Sequence, residues 1–202
     1  SGYIGGEFIN EYSENYDISR FSNLTESLSD LDLSGIDVIL HCAAIVHKYN
    51  INYKLYKKVN VNYPYDLAKK SKENGVNHFI FLSSIAVYGS NKTLITHDTK
   101  TEPNTNYGIS KLEAENLIYS LRSDTFKVSI IRPPMVYGAN APGNISKLIK
   151  LIKFFPILPF GKINNQRSFI YIKNLIFFID KIIKNRNQGV FLVCDYDAIS
   201  TT

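Results

Sequence analysis

Residues 78–83 read His-Phe-Ile-Phe-Leu-Ser, a short unbroken apolar run that ends on the polar pair Ser83-Ser84. A run of this length without polar alternation marks a strand buried on both faces, and such strands belong to parallel sheets covered by helices. Upstream, residues 59–74 carry apolar positions at helical spacing and stop at Gly75, the residue type that most readily adopts the left-handed conformation closing a helix. Before that helix lies a second buried strand, DVILHCAA at 37–44. Downstream, residues 107–121 have helical periodicity with Lys111, Glu113 and Glu115 interspersed, and KVSIIR at 127–132 is a third strand. Strands separated by single helices predict right-handed crossovers and an α/β fold with a doubly wound parallel sheet.

The outer parts of the chain extend this pattern. Residues 2–12 read as a glycine turn running into a short helix, 16–20 as a strand, and 189–194 as a returning strand. After Pro133-Pro134 come loops around 138–144, a helical stretch at 145–155 and a segment rich in Pro and Gly through Gly161. In an open α/β sheet such a segment is expected to form a substrate-binding lobe beyond the carboxyl ends of the strands. The expectation is therefore a Rossmann-type, nucleotide-binding domain over 1–137 and a small C-terminal substrate-binding lobe over 138–202, with returning sheet segments. A glycine turn at residue 2 with no strand before it, and a stop soon after 194, read as truncation at both ends.

Composition narrows the class. The chain has 202 residues, 45% of them hydrophobic, enough for one sizeable core. It contains no apolar run of about 18 residues and no signal-peptide pattern at residues 1–6, so the expectation is a soluble cytoplasmic protein without a membrane segment. The net charge of +5 is spread among acidic residues rather than gathered in a stripe, which argues against nucleic acid and suits an anionic small molecule. Cys42 and Cys194 are too few and too far apart for a disulfide framework or a metal site, and both read as core residues. His47, His78 and His97 have no partner pattern and read as structural or solvated.

Two patterns carry chemistry. Gly2-Tyr3-Ile4-Gly5 fits the second half of a dinucleotide turn, in which glycine lets the backbone approach a pyrophosphate at a helix N-terminus. Arg20, at the end of the expected second strand, suits a 2′-phosphate and favours NADP, while Asp17 keeps NAD open. The second pattern is Tyr107-Gly108-Ile109-Ser110-Lys111, preceded by Ser84 at the end of a strand. Tyr107 and Lys111 lie one helical turn apart on one face, so an ammonium beside the phenol is expected to lower the tyrosine pKa toward operating pH. Ser84 is placed to hydrogen-bond a substrate oxygen beside it.

These segments, with KVNVNYPYDLA, HFIFLSSIAVYG, NYGISKLEAE, VSIIRPPMVYG, Gly143-Asn144 and PFGKINNQRSFIYIKNL in the same order, resemble the extended short-chain dehydrogenase/reductase superfamily. Within it, the chain is similar to the NAD-dependent epimerase/dehydratase family, in the nucleotide-sugar 4-epimerase and 4-ketoreductase branch. The resemblance implies cofactor contacts from Gly2, Tyr3, Ile4, Gly5, Arg20, His41, Ala43, Ala44, Asn60, Ser83, Arg132, Pro133, Pro134 and Val136. It implies Ser84, Tyr107 and Lys111 as catalytic residues, with Tyr107 and Lys111 also on the cofactor. Substrate contacts are implied for Ser84, Ile85, Ala86, Tyr107, Asn144, Phe160 and Arg167, with Arg167 on a diphosphate, and no metal. Two departures stand out: Tyr63-Pro64 replaces the usual Gly-Thr, and Asn174 replaces a common acid.

The implied activity is NAD(P)-dependent 4-epimerisation of a UDP-sugar through a 4-keto intermediate, by a homodimer assembled partly through the helix bearing Tyr107. An NADPH-dependent 4-ketoreductase uses the same residues and is the alternative. A dehydratase would place an acid and base directly after the serine, where Ile85-Ala86 stand. A non-catalytic dinucleotide sensor would lack the Tyr and Lys that are present here.

Overall fold

The computed structural model describes residues 2–21, 28–46, 52–142 and 166–196. In chain order the principal elements are α1 (Tyr3–Tyr12), β1 (Val38–His41), α2 (Tyr53–Tyr56), a π-helical segment (Lys57–Asn62), α3 (Tyr63–Glu73) and β2 (His78–Leu82). A 3-10 turn (Ile85–Tyr88), α4 (Asn106–Ser120), β3 (Lys127–Arg132), β4 (Met135–Tyr137), β5 (Phe169–Tyr171), α5 (Ile172–Asn185) and β6 (Gly189–Leu192) follow.

The main sheet has the order β1-β2-β3-β6 with every pair parallel, Val38 opposite His78, His78 opposite Lys127 and Ser129 opposite Gly189. Side chains alternate between faces along a strand, so β2 must bury both sets. Phe79 and Phe81, with Val128 and Ile130 of β3, meet Leu67 and Ala68 of α3 and Ala114 and Ile118 of α4. Ile80, Leu82 and Ile131 meet Phe8 of α1 and Ile172, Leu175, Ile176, Ile179 and Ile182 of α5. Each of the larger side chains contributes about 1.5–3 kcal/mol when fully buried. The sheet is thus covered by helices on both faces, as a Rossmann-type α/β fold requires. Strand β4 pairs in parallel with β5 in a separate two-stranded unit. Helix α5 and β6, within 138–202, pack into the main core.

Pro64 explains the π-helical segment. A proline inside a helix lacks the N–H for the carbonyl four residues back and crowds that carbonyl, here Asn60. The chain widens ahead of it, and the Tyr63 N–H bonds the Lys58 carbonyl five residues back. The widened turn keeps Asn60 buried, where its amide accepts from the Ile45 N–H at 2.8 Å and donates to the Ile45 carbonyl at 3.0 Å and to Ser110 Oγ at 3.2 Å.

Several expectations need correction. Residues 16–20 form no strand; Tyr16 donates to Asp180 Oδ1 at 2.6 Å, and Ile18 packs on the α1 and α5 core, so side-chain packing holds this segment. The strands at 37–44 and 189–194 stop at His41 and Leu192, because the chain then leaves its ladder partners. Cys42 packs against the core, but Cys194, beyond the end of β6, is exposed. His78 is buried and bonded to Ser129 Oγ at 2.7 Å, whereas His97 is exposed and His47 lies outside the described residues. Among the described residues no helix is long and apolar enough to cross a membrane.

Gly75 closes α3 as expected. Its φ is +79°, its N–H reaches the Lys72 carbonyl and the Val76 N–H reaches the Ser71 carbonyl, the paired bonds of a Schellman motif. A Cβ at residue 75 would meet no atom within 4 Å, so conformational strain alone opposes a side chain. Gly75→Ala is expected to cost about 1 kcal/mol, read as a fall in Tm of about 2–4 °C by thermal denaturation.

Candidate active site

The site lies where β1, β2 and β3 end. Beyond β2 the Ser83 N–H donates to the Ile131 carbonyl at 2.7 Å and the Ile85 N–H to the Pro133 carbonyl at 3.0 Å, which ties the Ser84 turn to the exit of β3. Ser84 has extended backbone and caps the 3-10 turn, its Oγ accepting from the Ala86 N–H at 3.1 Å. Helix α4 starts from Thr105, whose Oγ1 accepts from the Gly108 N–H at 3.1 Å. At Gly108 a Cβ would collide with the Ala86 carbonyl, so glycine permits the backbones of helix and turn to touch. Gly89 (φ +80°) passes the Glu102 carbonyl just as closely. As a result Ser84 comes near enough to Tyr107 to lower the phenol pKa, and Tyr56 of α2 lies near enough to raise it.

Burial pushes the Tyr107 phenol up to about 12; Ser84 opposes this and Tyr56 adds to it. Lys111 is 1% exposed. Its Nζ donates to the Leu82 carbonyl at 2.6 Å and stands 3.8 Å from the centre of the Phe81 ring. Burial lowers its pKa to about 7, with Glu115 the largest opposing influence and Cys42 a lesser one. The expectation that Lys111 draws the tyrosine pKa down is therefore not met here. Desolvation outweighs charge at Tyr107, and the ammonium is committed to Leu82 and partly neutralised at neutral pH.

Three features of the protein fit a dinucleotide. Gly2 caps α1 without a side-chain bond and the first turn carries no acid, so the positive end of the helix is not offset from within its own first turn, as an anion site requires. His41 Nε2 and Ser83 Oγ, at the ends of β1 and β2, are buried polar atoms without a partner among the described residues. Burial and the Lys111 charge take His41 down to about 3, so it is neutral.

The other expected positions fall as follows. Tyr3 turns its hydroxyl to the Ala139 carbonyl at 2.9 Å, and Ile4 packs on the core with Val136. Gly5 lies in the first turn of α1, Ala43 and Ala44 leave β1 half-buried, and Arg20 is exposed. Ile85 and Ala86 form the turn beside Ser84, Pro133 and Pro134 are buried, and Asn60 braces α4 from behind. The Arg132 side chain is taken up by Glu115 and Tyr88. Arg167 is exposed just before β5, while Asn144 and Phe160 lie outside the described residues. Asn174 donates to Asp195 Oδ1 at 2.8 Å, and Asp195 also receives the Tyr137 hydroxyl and the Tyr171 N–H. An acid at 174 would set two carboxylates face to face, so the departure there is matched by Asp195.

Sequence reading missed Tyr56, Thr105 and Glu115, whose parts depend on contacts between elements. Gly108 could have been found as a glycine within the first turn of a helix, an unfavourable choice unless a close approach needs it.

Fold and site together define an α/β protein of doubly wound, Rossmann-like class with serine, tyrosine and lysine at the carboxyl edge of its parallel sheet. The chain belongs to the NAD dependent epimerase/dehydratase family, whose model matches residues 8–194. It is 40% identical over 185 residues to a UDP-glucose 4-epimerase of Vibrio cholerae, covering 85% of this chain and 56% of that protein. It is 32% identical over 164 residues to the N-acetyl-alpha-D-glucosaminyl-diphospho-ditrans,octacis-undecaprenol 4-epimerase of Escherichia coli O157:H7, covering 79% of this chain and 49% of that one. The chain thus spans about half the length of these curated relatives. The crystal structure of UDP-glucuronic acid 4-epimerase from Bacillus cereus in complex with NAD superposes with a TM-score of 0.76 at 25% identity, over 98% of this chain and 66% of that one.

The lysine titration has a definite sign. Below about pH 7 Lys111 is charged folded and unfolded, and its burial penalty is fully present; between about 7 and its ordinary 10.5 the unfolded chain binds the extra proton, so stability climbs with pH. Lys111→Met is expected to flatten that climb, measured as unfolding free energy from denaturant titrations across this range.

Proposed function

We propose that this protein is an NAD(P)-dependent nucleotide-sugar 4-epimerase acting on a UDP-hexose or UDP-N-acetylhexosamine through a 4-keto intermediate. The observation that carries the reading is the convergence of Ser84, on the turn after β2, and Tyr107, on α4, at the carboxyl edge of the sheet where turn and helix touch at Gly108, with Lys111 on the same helix. Both curated relatives described above are named as 4-epimerases, which supports the same reaction. Gly2, the His41–Ala44 segment, Ser83 and Lys111 would hold the cofactor, and Arg20 favours NADP. When bound, NAD(P) supplies the acceptor and donor of the C4 hydride.

Tyr107 takes the proton from the C4 hydroxyl as that carbon is oxidised and returns it after reduction on the opposite face, so protons and electrons balance over a turnover. Ser84 hydrogen-bonds the same oxygen and fixes its distance from the phenol. The resting phenol is protonated, the form that reduction requires; oxidation requires phenolate, which the neighbouring Ser84 favours. Arg167 and Asn144 would hold the UDP-sugar, the guanidinium fork suiting diphosphate oxygens. A homodimer would cover the exposed Leu55 of α2 and Ile109 and Leu117 of α4, helices that flank the site.

The test is incubation with UDP-glucose and UDP-GlcNAc and each cofactor. Formation of the C4 epimer at constant nicotinamide absorbance is the expected result, whereas stoichiometric NADPH oxidation by a UDP-4-keto sugar would replace the epimerase with a 4-ketoreductase. Tyr107→Phe is expected to lower kcat by about 10²–10⁴-fold with cofactor Kd unchanged. Gly108→Ala, which pushes α4 off the Ser84 turn, is expected to lower kcat by about 10²-fold through displacement of Tyr107.

A further inference from the structure

Glu115 stands one helical turn beyond Lys111 on α4, 2% exposed, and no sequence pattern singled it out as functional. Its carboxylate takes Arg132 at the end of β3 in a forked pair, Nε at 3.1 and 3.2 Å from its two oxygens and Nη2 at 2.5 Å from Oε2. Arg132 Nη1 donates to the Tyr88 hydroxyl at 2.7 Å, and Tyr88 closes the 3-10 turn that starts at Ser84. One carboxylate thus links the helix of Tyr107 and Lys111, the turn of Ser84 and the exit of β3.

The groups around Lys111 give this link a second consequence. From β2 it meets the Leu82 carbonyl and the Phe81 ring. From the end of β1 it meets His41, neutral because its pKa is about 3, and the Cys42 thiol, neutral because burial raises it to about 12. Among the described residues, Glu115, on the same helix, is the group that supplies opposite charge.

We propose that Glu115 is a positioning residue for the reaction, holding Lys111 in its charged form and, through Arg132 and Tyr88, locking α4 against the Ser84 turn. The proposal rests on Lys111 and Tyr107 acting as the catalytic pair. Glu115 touches neither substrate nor cofactor in this role; it acts through its neighbours.

The test separates charge from packing. In Glu115→Gln the proton loss of Lys111, identified by its disappearance in Lys111→Met, is expected to move to lower pH by about one unit, both in the stability profile and in the alkaline limb of kcat/KM. That variant also leaves Arg132 unpaired, so its Tm should fall. The double variant Glu115→Gln/Arg132→Met removes the stranded charge and is expected to recover Tm while keeping the shifted titration; Arg132→Met alone, which retains the carboxylate, is expected not to shift it downward. An unmoved Lys111 titration in both Gln variants, with only Tm changing, would reduce Glu115 to a structural partner of Arg132. Absence of epimerisation by the unaltered protein would refute the proposed function, whereas the stability profiles decide the role of Glu115 either way.

Discussion

The backbone of helix α4 touches the backbone of the turn after β2, and it can do so only because residue 108 has no Cβ. The rest of the site depends on this contact. It sets the phenol of Tyr107 against Ser84, points Lys111 under the end of β2 and brings Glu115 within reach of Arg132. Thr105 fixes where the helix starts, and the Ile85 and Pro133 bond fixes where the turn sits, so both sides of the contact are anchored.

Burial governs the electrostatics of that arrangement. Tyr107 goes up, Lys111 and His41 go down, and in each case desolvation is the largest cause. Helical spacing places two residues on one face, but it does not decide whether a lysine turns to the phenol beside it or to a carbonyl beneath it. A dry site also makes each remaining charge matter more, which is why one carboxylate next to Lys111 carries weight that a surface pair would not.

The two departures from the family pattern show how the fold absorbs change. Tyr63-Pro64 removes a helical hydrogen bond, and the π-helical turn before it accommodates the proline while keeping Asn60 on Ile45 and Ser110. Asn174 in place of an acid is answered by Asp195, which receives an amide, a hydroxyl and a backbone N–H. Burial raises the pKa of Asp195, but those bonds outweigh it and hold the carboxyl below its ordinary value.

Local pattern along the chain was enough to reveal the sheet, its parallel sense, the helices between its strands, the Gly75 cap and Ser84, Tyr107 and Lys111 as the residues that meet at its edge. Apolar runs and helical spacing are local signals, and a strand buried on both faces has few other places to be. Contacts between distant segments settled that residues 16–20 pack without pairing, that Arg132 faces Glu115, that Lys111 bonds Leu82 and that the phenol is raised. Each of these is set by which side chains from distant segments share one buried volume, and neither desolvation nor the choice of a hydrogen-bond partner is written in the spacing of residues along the chain.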